Sequence, residues 1–272
     1  MKLAISNISW TAEQDRDMYA KLQQYGFDGL EIAPTRIFPD KPYEHNEEAA
    51  DFVEQLKKNY GLSIPSMQSI WFGQTDNIFA GEEARQRLLD YTKQAILFAE
   101  AIQCNNLVFG CPRNRNIPET QTKAEYLAYY ETAVNFFSEL AVFSQQHNTV
   151  LAMEANPPIY NTNFINGTND ALDIVRTVNH PGFAINLDIG TMIHNEEDTK
   201  SIDLEHILPY VNHIHISEPG LKPLERRKLH QEVRDVLQDF DYQKYVSIEM
   251  GKQDDASIVD GCIQYILQLF GR

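Results

Sequence analysis

Short runs of apolar, often β-branched residues alternate along the chain with longer segments in which apolar residues recur at helical spacing. The short runs predict eight β-strands over residues 3–8, 29–33, 63–70, 106–110, 150–154, 183–188, 212–217 and 245–249. The longer segments predict eight helices over residues 12–25, 47–60, 82–101, 123–147, 169–178, 202–208, 223–240 and 255–270. Such alternation is typical of βα units whose strands form a parallel sheet.

The number and order of these elements indicate the architecture. Gly26 and Gly61 directly follow predicted helices, where glycine readily takes the left-handed backbone that ends a helix. Strict alternation favours an α/β fold of the closed (β/α)8 TIM-barrel type, one domain over residues 1–272, rather than an open doubly wound sheet. The stretch SNISWTAEQ after the first strand has no glycine-rich phosphate loop, so the usual dinucleotide signal of an open sheet is missing. Residues 34–45 carry three prolines and predict a loop over the barrel mouth.

Composition and charge narrow the class of protein. The formal net charge is −16, which disfavours nucleic acid and anionic membrane surfaces as partners. The cysteines Cys104, Cys111 and Cys262 show no CxxC spacing and predict neither a disulfide framework nor a zinc knuckle. The N-terminal MKLAISNISW is too polar for a signal peptide, and no apolar run approaches the roughly 18 residues of a membrane span. We therefore expect a cytoplasmic protein.

The candidate chemistry lies at the carboxyl ends of the strands, where TIM-barrel enzymes carry their active sites. Strands five to eight each end in a side chain that can bind a metal, namely Glu154, Asp188, His215 and Glu249. One such carboxylate alone is more often a helix cap, but several at one mouth repel one another unless a cation neutralises them. Three carboxylates and one imidazole favour a single Mn²⁺ ion, with Mg²⁺, Co²⁺ or Zn²⁺ as alternatives. His213 shares a strand face with His215 and is predicted to support it.

Four short motifs surround these residues: MEAN at Glu154, NLDIG at Asp188, HIHISE at His215 and SIEM at Glu249. Their separations fit one βα unit each, and GFDGLEIA around Glu31 precedes them. In the order and spacing of these motifs the chain resembles the xylose isomerase-like TIM-barrel superfamily, especially its sugar (phosphate) isomerase and epimerase branch. The resemblance implies that the four residues bind one divalent metal and that Glu154 and Glu249 form the acid–base pair.

Two positions depart from the family pattern. The family often has a substrate-binding histidine where this chain has Thr191, and His194 is the candidate replacement. Ketose epimerases tend to carry an arginine where this chain has Leu221, which is followed by Lys222. These departures spare the metal ligands but leave the substrate and the reaction subtype open.

The sequence thus predicts a divalent-metal-dependent isomerase or epimerase of a small sugar or sugar-like ketose, acting by proton transfer through a metal-bound enediolate. The candidates for substrate binding are Glu31, Trp71, Arg113, Arg115, His194 and Lys222. Each also has a structural alternative, which is an ion pair for the charged side chains and core packing for the tryptophan. The expected partner is a small carbohydrate, and a homo-oligomer is compatible with the sequence.

Three other functions are compatible with a barrel of this kind. A metal-dependent dehydratase or lyase of a keto-inositol or dehydroshikimate-type substrate shares the metal and the enolate step and remains an alternative. An apurinic endonuclease would need further histidines at strands two and three, where this chain has Glu31 and Gln68, and its charge is unsuitable for DNA. A non-catalytic binding barrel has no reason to keep all four candidate ligands.

Overall fold

The computed structural model describes residues 1–120 and 122–271. Within these residues the sheet has seven strands: β1 (Lys2–Ser6), β2 (Gly29–Glu31), β3 (Leu107–Phe109), β4 (Leu151–Glu154), β5 (Phe183–Asp188), β6 (Val211–Ile216) and β7 (Tyr245–Ile248). Their order is β2-β1-β7-β6-β5-β4-β3, and every neighbouring pair is parallel. Most strand residues are buried, as expected when helices cover a parallel sheet.

The strand predicted over residues 63–70 is not formed as a regular strand, which corrects the expectation of eight. Met67 instead makes isolated parallel bridges to Ile32, beside β2, and to Leu107 in β3. Pro65 lies within this segment and has no N–H to donate to a ladder, which explains why the pairing is interrupted. The sheet is therefore curled, and the segment around Met67 connects its two edge strands by single bridges.

Ten helices are described: α1 (Asp15–Gln24), α2 (Pro34–Ile37), α3 (Asn46–Tyr60), α4 (Glu82–Ala101), α5 (Lys123–Gln146), α6 (Thr168–Val178), α7 (Ile189–His194), α8 (Leu204–Ile207), α9 (Lys228–Asp239) and α10 (Ala256–Phe270). Local sequence fixes several of their ends. The Thr122 hydroxyl accepts the N–H of Glu125, whose carboxylate accepts the N–H of Thr122, so a capping box begins α5. Gly61, with φ 71°, ends α3 where the sequence predicted.

Three segments differ from the sequence-based expectation. Residues 34–45, predicted as a loop, contain α2 and a short 3₁₀ turn. Helix α7 has only 6 residues, too few for a helical period to be visible in the sequence. The helix predicted from residue 223 begins at Lys228, because the preceding loop is held by Arg227, which donates to the buried carboxylate of Glu218.

The arrangement places the ends of β4 to β7 side by side, since these four strands are consecutive in the sheet. Among the described residues, no helix has the combination of length and hydropathy that a membrane span requires. The assignment of residues 1–272 to one domain stays a prediction.

Candidate active site

Four neighbouring strands bring the predicted metal ligands together. Glu154 and Asp188 end β4 and β5, His215 lies in β6, and Glu249 directly follows β7. One ligand atom from each residue lies within 4.8 Å of the others. The His215 Nδ1 atom is 3.0 Å from Glu154 Oε1 and 3.3 Å from Glu249 Oε2. The four side chains therefore form one compact cluster at the mouth.

The Asp188 carboxylate is held by the beginning of α7. Its Oδ2 atom accepts hydrogen bonds from the Thr191 N–H at 2.9 Å and the Thr191 hydroxyl at 2.8 Å. Its Oδ1 atom accepts a hydrogen bond from the Ser217 hydroxyl, and Gly190 packs so closely that an added Cβ would collide with Ser217 Oγ. The short helix that the sequence did not reveal thus fixes one of the four ligands.

The Glu154 carboxylate is oriented by two amide side chains. Asn186 Nδ2 donates to Oε1 at 2.7 Å, and Asn156 Nδ2 donates to Oε2 at 3.0 Å. Gly110 lies beside Oε2, and a Cβ there would approach this oxygen to 2.9 Å. Oε1 consequently faces His215, while Oε2 faces the amide of Asn156.

The Glu249 carboxylate has one amide donor. Gln68 Nε2 donates to Glu249 Oε1 at 2.9 Å and to Ser6 Oγ at 3.0 Å. The Ser69 hydroxyl donates to Gln68 Oε1 at 2.8 Å, which fixes the orientation of the amide. The two carboxylates of the predicted acid–base pair therefore have different surroundings.

The carboxylate of Glu31 orients the ring of His215 from the side opposite the acidic cluster. His215 Nε2 lies 2.8 Å from Glu31 Oε2, and His213 Nε2 lies 3.2 Å from the same oxygen. Because a carboxylate only accepts, the His215 Nε2 carries a proton, and Nδ1 is the nitrogen directed at the acidic cluster. This carboxylate–histidine arrangement is common beneath histidine ligands of metal ions.

The electrostatics of the cluster favour added positive charge, carried either by protons or by a bound cation. Burial and the neighbouring Glu154 carboxylate raise the pKa of Asp188 to about 6. Burial raises the pKa of Glu249 to about 7, against the opposing effect of His215. Burial lowers the pKa of His215, but the carboxylates of Glu31 and Glu249 outweigh it and hold that pKa well above its usual value. Three carboxylates and one imidazole fit an oxygen-preferring divalent ion such as Mn²⁺ or Mg²⁺.

A cavity of about 170 Å³ opens onto three of these carboxylates, Glu154, Asp188 and Glu249. The side chains around it include Gln68, Ser69, Cys111, Asn156, Tyr160 and Leu221. Ser69, Cys111 and Leu221 all have left-handed backbone, with φ of 55°, 44° and 54°. Strained backbone of this kind is concentrated at functional sites. A larger cavity of about 360 Å³ lies at the opposite ends of the strands, but no described residue in its lining is a carboxylate.

The candidates for substrate binding lie outside the lining of this cavity. Arg113, His194 and Lys222 are exposed, while Glu31, Trp71 and Arg115 are buried. The Trp71 indole donates to the Thr92 hydroxyl and packs edge-on against Phe109. The substrate contacts assigned to these six residues stay predictions, and the buried three also have structural partners.

Several residues in the site were not singled out from the sequence. Asn156 lies two positions after Glu154, and Asn186 lies two positions before Asp188 on the same face of β5. That two-residue spacing from a candidate ligand is the signal that could have identified both. Tyr160 gives no such signal, because it ends a short 3₁₀ turn, Pro158–Tyr160, and has no regular strand spacing from a candidate ligand.

Comparison with known proteins identifies the class. A family model described as xylose isomerase-like TIM barrel matches residues 19–262. The chain therefore belongs to the xylose isomerase-like TIM barrel family, which confirms the resemblance drawn from its motifs.

Solved structures with a similar fold include several sugar epimerases. The 3-keto-D-glucoside 4-epimerase of E. coli is 17% identical, with a TM-score of 0.77 over 100% of both chains. A D-psicose 3-epimerase studied with D-fructose is 18% identical, with a TM-score of 0.77 over 100% of both chains. A family 2 AP endonuclease from Brucella melitensis is 19% identical, with a TM-score of 0.72 over 97% of this chain and 99% of that one. Comparison with curated proteins gives no match.

Proposed function

We propose that this protein is a divalent-metal-dependent isomerase or epimerase of a small, uncharged sugar or sugar-like ketose. The observation that carries the proposal is the convergence of Glu154, Asp188, His215 and Glu249 within 4.8 Å at the base of a small cavity. The similarity to sugar epimerases supports it, and the proposal takes the barrel to be closed through the bridges of Met67.

The same four residues would hold one ion, for which Mn²⁺ is our first choice because oxygen donors dominate the set. Such an ion, when bound, polarises a carbonyl oxygen and offsets negative charge that develops there. His215 offers Nδ1 to it because Glu31 engages the other ring nitrogen.

The protein's own part in the reaction is proton transfer by two carboxylates. Glu154 and Glu249 come from the outer two of the four neighbouring strands, so they flank the cavity from its two sides. One carboxylate removes the proton beside the substrate carbonyl, and the other returns a proton to the opposite face or to the adjacent carbon. The first outcome is epimerisation and the second is aldose–ketose isomerisation. General acid–base catalysis of this kind contributes about 10²–10⁴-fold.

The lining of the cavity indicates an uncharged substrate. Hydroxyl and amide groups of Ser69, Asn156 and Tyr160 can hydrogen-bond sugar hydroxyls, and Leu221 offers an apolar surface. Within the described residues, the lining contains no lysine or arginine that would bind a phosphate or carboxylate.

The test is to incubate the protein with Mn²⁺ and a panel of ketoses and keto-inositols in D₂O. We expect product with deuterium at the epimerised or isomerised carbon, and none from the Glu249→Gln variant with Mn²⁺ occupancy verified. Loss of water from a keto-inositol would assign the dehydratase alternative. Absence of turnover with every substrate despite bound Mn²⁺ would contradict the proposed class.

A further inference from the structure

Arg115 is a fully buried cation at the edge of the candidate active site. It ends the 3₁₀ turn after β3, and its side chain is 0% exposed. Its guanidinium donates to the carbonyl oxygens of Gly110, Glu154, Phe164 and Ile165 and to the side-chain Oδ1 of Asn156. The acceptors come from the ends of β3 and β4 and from a loop, so one side chain connects three parts of the mouth.

All the close acceptors of this cation are neutral carbonyl or amide oxygens. Among the described residues, no carboxylate therefore lies within ion-pair distance of Arg115. Burial lowers the pKa of Arg115 to about 10, which leaves the group charged at neutral pH. A buried charge without an opposite charge in contact with it is costly, so its position next to an acidic cluster calls for a role.

The connection to the cluster runs through the amide of Asn156. Arg115 Nη2 donates to Asn156 Oδ1 at 2.8 Å, and Asn156 Nδ2 donates to Glu154 Oε2 at 3.0 Å. Since Arg115 can only donate, Oδ1 of the amide must face it and the NH₂ group must face Glu154. The amide therefore has one orientation, and that orientation suits a carboxylate.

We propose that Arg115 is a positioning residue that acts through Asn156 to hold Glu154 with Oε1 directed at the metal cluster. The importance of this role for catalysis rests on the proposed function. The role itself can be tested by structure and by metal binding, without an assay of catalytic activity. If the side-chain amide of Asn156 rotated by about 180°, its Oδ1 would face the Glu154 carboxylate and repel it. Arg115 prevents this, and its main-chain bonds keep Glu154 and the loop at a fixed distance.

The test uses Asn156→Asp, which keeps an oxygen for Arg115 and replaces the NH₂ group that faces Glu154 with a second oxygen. The fold is expected to survive because Arg115 gains a carboxylate partner. In a crystal structure we expect the Glu154 carboxylate to leave its position. By calorimetry we expect the Kd for Mn²⁺ to rise at least about tenfold, and with a sugar substrate kcat should fall more than KM rises.

Asn161→Asp is the matched control in the same loop. Its side chain is exposed, and its hydrogen bonds to Pro158 and Asn116 use main-chain atoms that the substitution keeps. This variant should leave the Glu154 position and the Mn²⁺ affinity unchanged. Asn156→Leu, which removes the amide without adding charge, should reproduce the displacement if Asn156→Asp fails to fold.

The proposal is overturned if Glu154 keeps its position and Mn²⁺ binds normally in both Asn156 variants, or if the Asn161 control weakens Mn²⁺ binding equally. These readouts separate the two proposals. Displacement of Glu154 in a protein whose wild type converts no sugar supports the positioning role and contradicts the proposed function. If the wild type epimerises a sugar and Glu154 keeps its position in the Asn156 variants, the result supports the proposed function and contradicts the positioning role.

Discussion

At the scale of single residues, the Glu31 carboxylate decides which nitrogen of His215 faces the acidic cluster. Glu31→Gln keeps the shape but removes the charge, and an amide can present its NH₂ group and force the proton onto Nδ1. We expect the Kd for Mn²⁺ to rise roughly 10–100-fold by calorimetry. Glu218→Gln is the control, because Glu218 is also buried but pairs with Arg227. Equal losses in both variants would assign Glu31 a merely structural role.

Gly110 provides the space that Glu154 occupies. A Cβ at this position would lie 2.9 Å from Glu154 Oε2 and 3.2 Å from Asn156 Oδ1. Both atoms end side chains, so the fold can adapt while the carboxylate is displaced. Gly110→Ala should therefore reduce proton-transfer activity at least about tenfold, a loss of roughly 1.4 kcal/mol in transition-state stabilisation, with little change in melting temperature.

The control for this substitution is Gly261→Ala in α10, where an added Cβ has no atom within 4 Å. Because alanine favours a helix interior over glycine by about 1 kcal/mol, this variant should be fully active and slightly more stable. Full activity of Gly110→Ala would show that Glu154 tolerates the displacement.

At the scale of elements, α9 packs on α10 through a buried histidine. His230 is 1% exposed, and its Nδ1 lies 3.0 Å from the Tyr265 hydroxyl. Burial lowers the pKa of His230 to about 4, opposed by Glu218 and assisted by Arg227. In the unfolded chain the pKa of a histidine is about 6.5. Between about pH 6.5 and pH 4 the unfolded chain therefore binds a proton at His230 that the folded protein does not bind.

The free energy of unfolding should consequently fall as the pH drops from about 6.5 to about 4, and His230 contributes at most roughly 1.4 kcal/mol per pH unit to that slope. Urea titrations of wild type and His230→Gln measure it. The difference between the two proteins should be constant from pH 7 to pH 8 and shrink below pH 6. A difference that stays constant down to pH 4.5 would contradict the assignment.

The elements also explain which parts of the site could be predicted. Glu154, Asp188 and Glu249 each follow an apolar run, so the strand pattern alone places them at one mouth. Arg115 and Gln68 could not be assigned in this way. Their partners lie on other strands and loops, and the direction of their side chains depends on contacts between segments distant in sequence. For the same reason the sequence predicts a continuous strand around Pro65, where the structure has only isolated bridges.

At the scale of the whole molecule, stability should depend on the cation. The protein carries a net charge of −16, and burial together with Glu154 raises the pKa of Asp188 to about 6, so the folded state without metal bears an electrostatic cost. A ligand that binds only the folded state stabilises it by about 2.7 kcal/mol at a concentration of 100 times Kd. For a chain of this size that corresponds to a rise in Tm of roughly 5–10 °C.

Calorimetric scans after chelation and after addition of Mn²⁺ measure this dependence. The rise in Tm should be lost in Asp188→Asn, which removes one ligand of the cluster. It should persist in Glu205→Gln, because that exposed carboxylate on α8 contributes only to the diffuse surface charge. A rise that survives in both variants would come from non-specific binding to an acidic surface. No rise in wild type with Mn²⁺, Mg²⁺ or Co²⁺ would mean that the cluster is stabilised by protonation of its carboxylates, and the metal-dependent reaction would then have no site.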